Sequence, residues 1–291
     1  MNQSRFAVFF AFLAAALYAL NSPISKLLLE NVPPTMMASF LYLGAGLGML
    51  MVSLFKKVTH RRRTEMHLTK KDLPYTLGMI VLDILAPIFL MLGLSRTTPE
   101  NASLLNNFEI VATSLIALLV FKEKISKRLW AAIGLIIVSS ILLSVEDVKS
   151  FQFSVGSVFV LLACCCWGLE NNCTRMLSQS DPQGIVVIKG LGSGAGSLIV
   201  ALLVGEQFPE LAHVLPTLLL GFVAYGLSIY FYVYAQRFLG AAKTSAYYAV
   251  QPFIGVLLSL VIFRTMPNEL FFVALVIMIA ATYLITKDQS E

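Results

Sequence analysis

Hydrophobic positions along this chain gather into long runs separated by short polar stretches. Ten such runs, at roughly 6–29, 35–55, 73–94, 99–121, 128–145, 154–177, 184–204, 214–236, 242–263 and 269–286, are long enough, some only marginally, to cross about 30 Å of hydrocarbon. Prolines at Pro33-Pro34, Pro99, Pro182 and Pro267 mark helix starts, because proline is tolerated in a first turn and cannot continue a preceding helix. The first run is expected to be a retained helix rather than a signal peptide. Only Arg5 precedes it, and it far exceeds a normal h-region before Asn21-Ser22-Pro23 interrupts it. The pattern predicts an all-α polytopic membrane protein of ten transmembrane helices, with connections too short for a soluble domain.

One half of the chain echoes the other. Residues 166–175, C-W-G-L-E-N-N-C-T-R, replay residues 17–26, L-Y-A-L-N-S-P-I-S-K, at an offset of 149. Tyr18 falls over Trp167, Asn21 over Glu170 and Lys26 over Arg175. From the third run onward the offset is 142, laying Pro74 over Pro216, Ser103 over Ser245 and Glu109 over Gln251. Five helices per half is an odd number, so the second copy enters the membrane from the opposite side. The expectation is two inverted five-helix repeats, residues 1–145 and 146–291, with a substrate site near the midplane between them.

Composition and charge agree with a lipid solvent. Hydrophobic residues make up 58% of the 291 and charged residues only 13%, with a mean hydropathy of +0.81. A soluble core could not hide that apolar share. The net charge of +5 is a topology signal rather than a nucleic-acid footprint. With the N-terminus inside, sixteen of the 21 Lys and Arg lie on the cytoplasmic side or its edge, and only Arg96, Lys149 and Arg264 lie outside. Lys26 and Lys189 remain within membrane segments. Both termini are therefore expected in the cytoplasm, and the basic loop from Lys56 to Asp72 is read as a topology determinant at the inner leaflet. Cys164, Cys165, Cys166 and Cys173 share one apolar run. Three in a row point about 100° apart on a helix, which suits packing and no metal clasp or disulfide.

Polar groups at membrane depth are the candidates for chemistry. Asp83, Glu109 and Glu170 each cost a few kcal/mol there unless they face a cavity, find a partner or stay protonated. Ion pairs with Lys26, Lys189 or Arg175, or a protonated carboxyl bonding a backbone carbonyl, are the structural alternatives. The repeat matches the three acids with Tyr225, Gln251 and Asn21, so the predicted cavity is asymmetric and acidic. Asn21 and Ser22 precede Pro23, which predicts a helix break, and Asn171 and Asn172 take the matching place on the sixth helix. Asn106 shares a helix face with Glu109, whereas Asn107 is rotated towards a neighbouring helix; Tyr248 lies three residues before Gln251. Tyr18, Trp167, Tyr225, Tyr232 and Tyr248 are candidates for an aromatic cage around a cation. The bland reading of the amides and phenols is interhelical hydrogen bonding. Gly44, Gly46 and Gly48 on the second helix, with Gly190, Gly192, Gly194 and Gly196 on the seventh, are assigned to close helix packing. Lys189 beside them is a counter-ion or a snorkelling side chain.

The W-G-x-(E/D)-N-N-x-T-R type pattern at Trp167 to Arg175, and the F-x-E-K-I-S ending of the fourth helix at Phe121 to Ser126, resemble the drug/metabolite transporter superfamily, EamA-like branch. The resemblance covers essentially the whole chain. It implies a central cavity lined by the first, third, fourth, sixth, eighth and ninth helices, with the fifth and tenth at the periphery. It leaves the substrate open, since relatives move amino acids, nucleotide sugars, choline, drugs and other metabolites. That branch commonly has a proline midway along the fourth and ninth helices. Here the ninth has Gln251-Pro252 but the fourth has Glu109-Ile110, so a symmetric hinge is not expected.

The function these features predict is secondary transport of a small polar organic metabolite, cationic or zwitterionic, by alternating access. Asn21, Asn106, Glu109, Glu170, Asn171, Gln251, Tyr18, Trp167 and Tyr248 are the expected substrate residues. Proton coupling falls to Asp83, Glu109 or Glu170. A membrane-embedded enzyme is the alternative class, but His60, His67 and His213 fall in loops and neither H-E-x-x-H nor G-x-S-x-G occurs. A passive channel lacks an obvious filter segment. No cofactor, metal or nucleic acid is expected. The expected partners are the substrate and the bilayer, with a homodimer left open, and the expected location is a bacterial inner membrane.

Overall fold

The computed structural model describes residues 3–58, 69–122, 125–147, 152–177, 180–239, 244 and 247–288. Most of the basic loop, including His60 and Arg61 to His67, lies outside the described residues, as do Glu123 and Lys124. The helices are α1 (Gln3–Ala19), α2 (Asn21–Leu28), α3 (Pro34–Val58), α4 (Leu73–Leu94), α5 (Pro99–Leu105), α6 (Phe108–Phe121) and α7 (Lys127–Ser144). A short antiparallel hairpin follows, Val145–Asp147 with Gln152–Phe153. Then come α8 (Val155–Leu177), α9 (Pro182–Leu203), α10 (Leu211–Leu220), a π-helical stretch Gly221–Leu227, α11 (Ser228–Leu239), α12 (Gln251–Phe263) and α13 (Glu269–Asp288). Among the described residues nine helical spans are long and apolar enough to cross a membrane, and α12 is a shorter apolar helix within the predicted ninth segment.

Small side chains decide how these helices meet. Lipid tails are as apolar as leucine, so helix association in a bilayer rests on close packing and interhelical hydrogen bonds. α3 packs on α9, where a Cβ built on Gly190 would stand 2.4 Å from the Gly46 nitrogen. The Ser39 hydroxyl donates to the Gly194 carbonyl across the same seam at 2.8 Å. Ser193 donates to Ile80 O (3.1 Å), tying α9 to α4, and Ser228 donates to Ala14 O (2.9 Å), tying α11 to α1. Ser139 donates to Ala274 O (2.9 Å), joining α7 to α13. α4 also packs on α8, and α5 on α12. Leu119, Leu203, Val261 and Val276 point outward, as hydrocarbon-facing residues should.

Two charged side chains act on helix ends. The Glu206 carboxylate, in the loop after α9, accepts from Thr35 N (3.0 Å) and Met36 N (2.7 Å), satisfying free amides in the first turn of α3. Lys26, considered above as a partner for the membrane acids, instead donates to Leu94 O (2.6 Å) and Thr97 O (2.9 Å), capping the C-terminal end of α4.

Four spans lose α-helical regularity along their length. α1 gives way to α2 at Leu20, ahead of Pro23. Between α5 and α6, Asn107, Glu109 and Ile110 bond three residues back rather than four (3.0–3.3 Å), a tightened turn that needs no proline. The fourth span is therefore irregular at this point without the proline that the ninth carries. The π-helical stretch separates α10 from α11, and a turn at Ala249-Val250 precedes α12. The sixth helix corrects the opposite expectation. α8 runs unbroken through Asn171 and Asn172 because no proline interrupts the ladder there, and the Asn172 amide donates to Gly168 O (2.8 Å) one turn back.

Candidate functional site

The deepest charges come from three helices. Asp83 is mid-way along α4, Glu170 lies towards the C-terminal end of α8, and Lys189 is in the first half of α9; all three are buried. Lys189 Nζ stands 2.9 Å from Glu170 Oε1 and 3.0 Å from Asp83 Oδ2. Among the described residues the Lys189 ammonium is the one partner of Asp83 Oδ2. Asp83 Oδ1 accepts from the Tyr42 hydroxyl at 2.9 Å, and Glu170 Oε1 also accepts from Thr174 Oγ1. Burying a charge is tolerable only when it is paired, which accounts for the lysine. Two carboxylates share one ammonium, so the fully ionised triad keeps one negative charge. Of the alternatives read from sequence, the counter-ion role of Lys189 is the one seen.

Glu109 is placed differently. It is the second residue of α6, just past the tightened turn, and is half-buried. Oε1 accepts from Asn171 Nδ2 at 2.6 Å, and the same amide lies 3.3 Å from Thr113 Oγ1. Its hydrogen-bond partners are thus neutral. Because Asn171 follows Glu170 on α8, Glu109 and the ion triad are neighbouring stations. Asn106 is buried, yet among the described residues neither its amide nitrogen nor its amide oxygen has a partner. Asn107 does not reach a neighbouring helix as expected; its amide donates to Leu104 O (3.4 Å) in its own turn.

Tyrosines adjoin these charges. The Tyr18 ring centroid lies 5.4 Å from Tyr225 and 6.3 Å from Tyr248, and Tyr232 lies 4.9 Å from Tyr248. Tyr18, Tyr232 and Tyr248 are half-buried. Tyr225, carried on the π-helical stretch, is sealed and accepts from Asn21 Nδ2 at 3.0 Å, while Ser25 donates to Asn21 Oδ1 at 3.0 Å. Asn21 is thereby engaged within the fold. Gln251 is buried at the start of α12. Trp167 is buried in the hydrophobic core.

Tyr42 is the residue that sequence reading missed. Its ring lies 5.1 Å from Tyr225 and its hydroxyl holds Asp83, so it joins the aromatic cluster to the ion triad. A lone tyrosine in the middle of the second apolar run was the available signal. A separate cleft of about 350 Å³ lies away from the acids and is lined by Asn31, Pro33, Gln207, Phe208, Pro209, Glu210 and His213.

Comparison with known proteins accords with this architecture. An uncharacterized transporter of Methanothermobacter thermautotrophicus is 24% identical over 267 residues, covering 86% of this chain and 77% of its own. The uncharacterized transporter YyaM of Bacillus subtilis is 25% identical over 178 residues, covering 57% of this chain and 58% of its own. A crystal structure, 16% identical, superposes with a TM-score of 0.70 over 98% of both chains, a likeness of fold. The sequence profile of the EamA-like transporter family matches twice, over residues 5–145 and 154–287. The apolar spans and this match together show an integral membrane transporter, a member of the EamA-like transporter family.

Proposed function

We propose that the protein is a secondary transporter of a small organic cation, with Glu109 as the carboxylate that meets the substrate. The observation that carries this reading is the division of charge at membrane depth. Lys189 is shared by Asp83 and Glu170, while half-buried Glu109 has, among the described residues, only neutral hydrogen-bond partners and stands near Tyr18 and Tyr248. A cation over such rings gains about 0.5–2 kcal/mol. A zwitterion would also need a cationic partner for its carboxylate, and Lys189 is already engaged. Exchange of the organic cation against a proton on Glu109 keeps the site's charge constant, so the coupling we assign is antiport.

The double family match supports an inverted repeat of residues 1–145 and 146–291, and so does the helix pairing. α3 packs on α9 and α7 on α13, each on its counterpart in the other half; α5 packs on α12, the counterpart of α6 in the same span, and α4 with α8 is mirrored by α11 with α1. Such pairing suits alternating access, with the irregular turns between α5 and α6 and before α12 as hinges. The Lys and Arg bias supports cytoplasmic termini, and a bacterial inner membrane is the setting we assign. Transporter relatives favour a carrier over an enzyme.

Proteoliposomes with an acidic lumen and a trapped pH dye test the reading. Externally added alkylamines should drive proton release from the lumen faster than in empty vesicles. Glu109→Gln should abolish that release while leaving the melting temperature nearly unchanged, because Asn171 can still hydrogen-bond the amide. Equal release by wild type and Glu109→Gln would refute the assignment.

A further inference from the structure

The ion triad holds more than a structural salt bridge requires. It already seats a primary alkylammonium, the end of the Lys189 side chain, between carboxylates from α4 and α8. That single ammonium leaves one of their two negative charges uncompensated. Asp83 Oδ2, fully sealed, has among the described residues only the Lys189 ammonium at 3.0 Å, which it shares with Glu170. Glu109 adds a second uncompensated charge, one residue along α8 by way of Asn171. Three residues before Glu109, the buried Asn106 amide has both its donor and its acceptor unspent among the described residues, which is costly unless a ligand or water meets them.

Resting on the cation reading above, we infer that the substrate is an aliphatic diammonium ion. One ammonium lies against Glu109 and the tyrosines, and the other completes the Asp83–Glu170 pair beside Lys189. The charges then close, three carboxylates against Lys189 and a dication, and holding the site's charge constant makes the exchange one dication for two protons, one at each station. A monoamine satisfies only one station. The methylenes between the two ammonium groups meet the ring faces, and Asn106 supplies a carbonyl acceptor for an N–H.

The experiment is a binding comparison on the purified full-length protein at fixed ionic strength, using 1,4-diaminobutane, n-butylamine and magnesium ion as probes and thermal shift with calorimetry as readouts. Stabilisation grows with ligand concentration over Kd. The expected result is binding of the diamine at least about tenfold tighter than the monoamine, a difference of about 1.4 kcal/mol, with no shift from magnesium. Glu109→Gln should bring the diamine down to the affinity of the monoamine. Asp83→Asn, which leaves Lys189 paired with Glu170, should do the same from the other station and serves as the second variant if the first is unstable. Equal affinity for diamine and monoamine would overturn the diammonium assignment and leave the monocation reading standing. Binding of neither amine would overturn both.

Discussion

Replacing Lys189 by Met removes the ammonium while keeping much of the side-chain volume. Asp83 and Glu170 are then buried together with no positive partner, keeping only the hydroxyls of Tyr42 and Thr174. Removing one member of a buried ion pair typically costs about 3–5 kcal/mol, because the partner charge remains out of water. Asp83 is fully sealed and Glu170 only 2% exposed, so no discount for solvent screening applies. At about 2–4 °C per kcal/mol for domains of 150–250 residues, the melting temperature in detergent should fall by roughly 6–20 °C. The decisive control is the triple variant Asp83→Asn, Glu170→Gln, Lys189→Met, which removes all three charges at near-constant shape. Replacing a whole buried ionic cluster is often neutral or stabilising, so the triple variant should regain most of the loss. Thermal unfolding followed by intrinsic fluorescence reads both. A loss below about 1 kcal/mol in the single variant, or no recovery in the triple, would refute the claim that pairing holds this cluster.

Other consequences are more local. Glu206→Ala strips both acceptors from the first turn of α3 and should lower stability by about 1–2 kcal/mol, with Glu206→Gln intermediate; equal melting temperatures would sink the capping role. Gly190→Ala sets a methyl 2.4 Å from the Gly46 backbone, so α3 and α9 must part at a cost of about 1–3 kcal/mol, checked by the same unfolding assay; an unchanged melting temperature would show that the seam is not close-packed.

The sequence by itself determined the solvent, the spans and several of the places where helices give way. Apolar runs of transmembrane length separated by short polar stretches admit only membrane helices, because a backbone in hydrocarbon must satisfy its own hydrogen bonds. Asn21-Ser22-Pro23 announced its break through a missing amide hydrogen, and Asp83, Glu109 and Glu170 were visible because charges at that depth are costly. Tertiary structure alone decided how those groups divide. Lys189 stands far from Asp83 in sequence, and their meeting depends on how α9 is rotated against α4 and α8. Hydropathy carries little information on rotation when lipid-facing and buried surfaces are both apolar. For the same reason Tyr42 did not stand out, and Asn171 and Asn172 suggested a break where α8, which has no proline there, stays continuous while their amides reach across to α6. The turn at Asn106-Asn107 needed the packing of α5 on α12 and of α6 on α8, since nothing in its own residues forbids a continuous helix. Which acid pairs inside the protein and which remains for a ligand is a property of that packing.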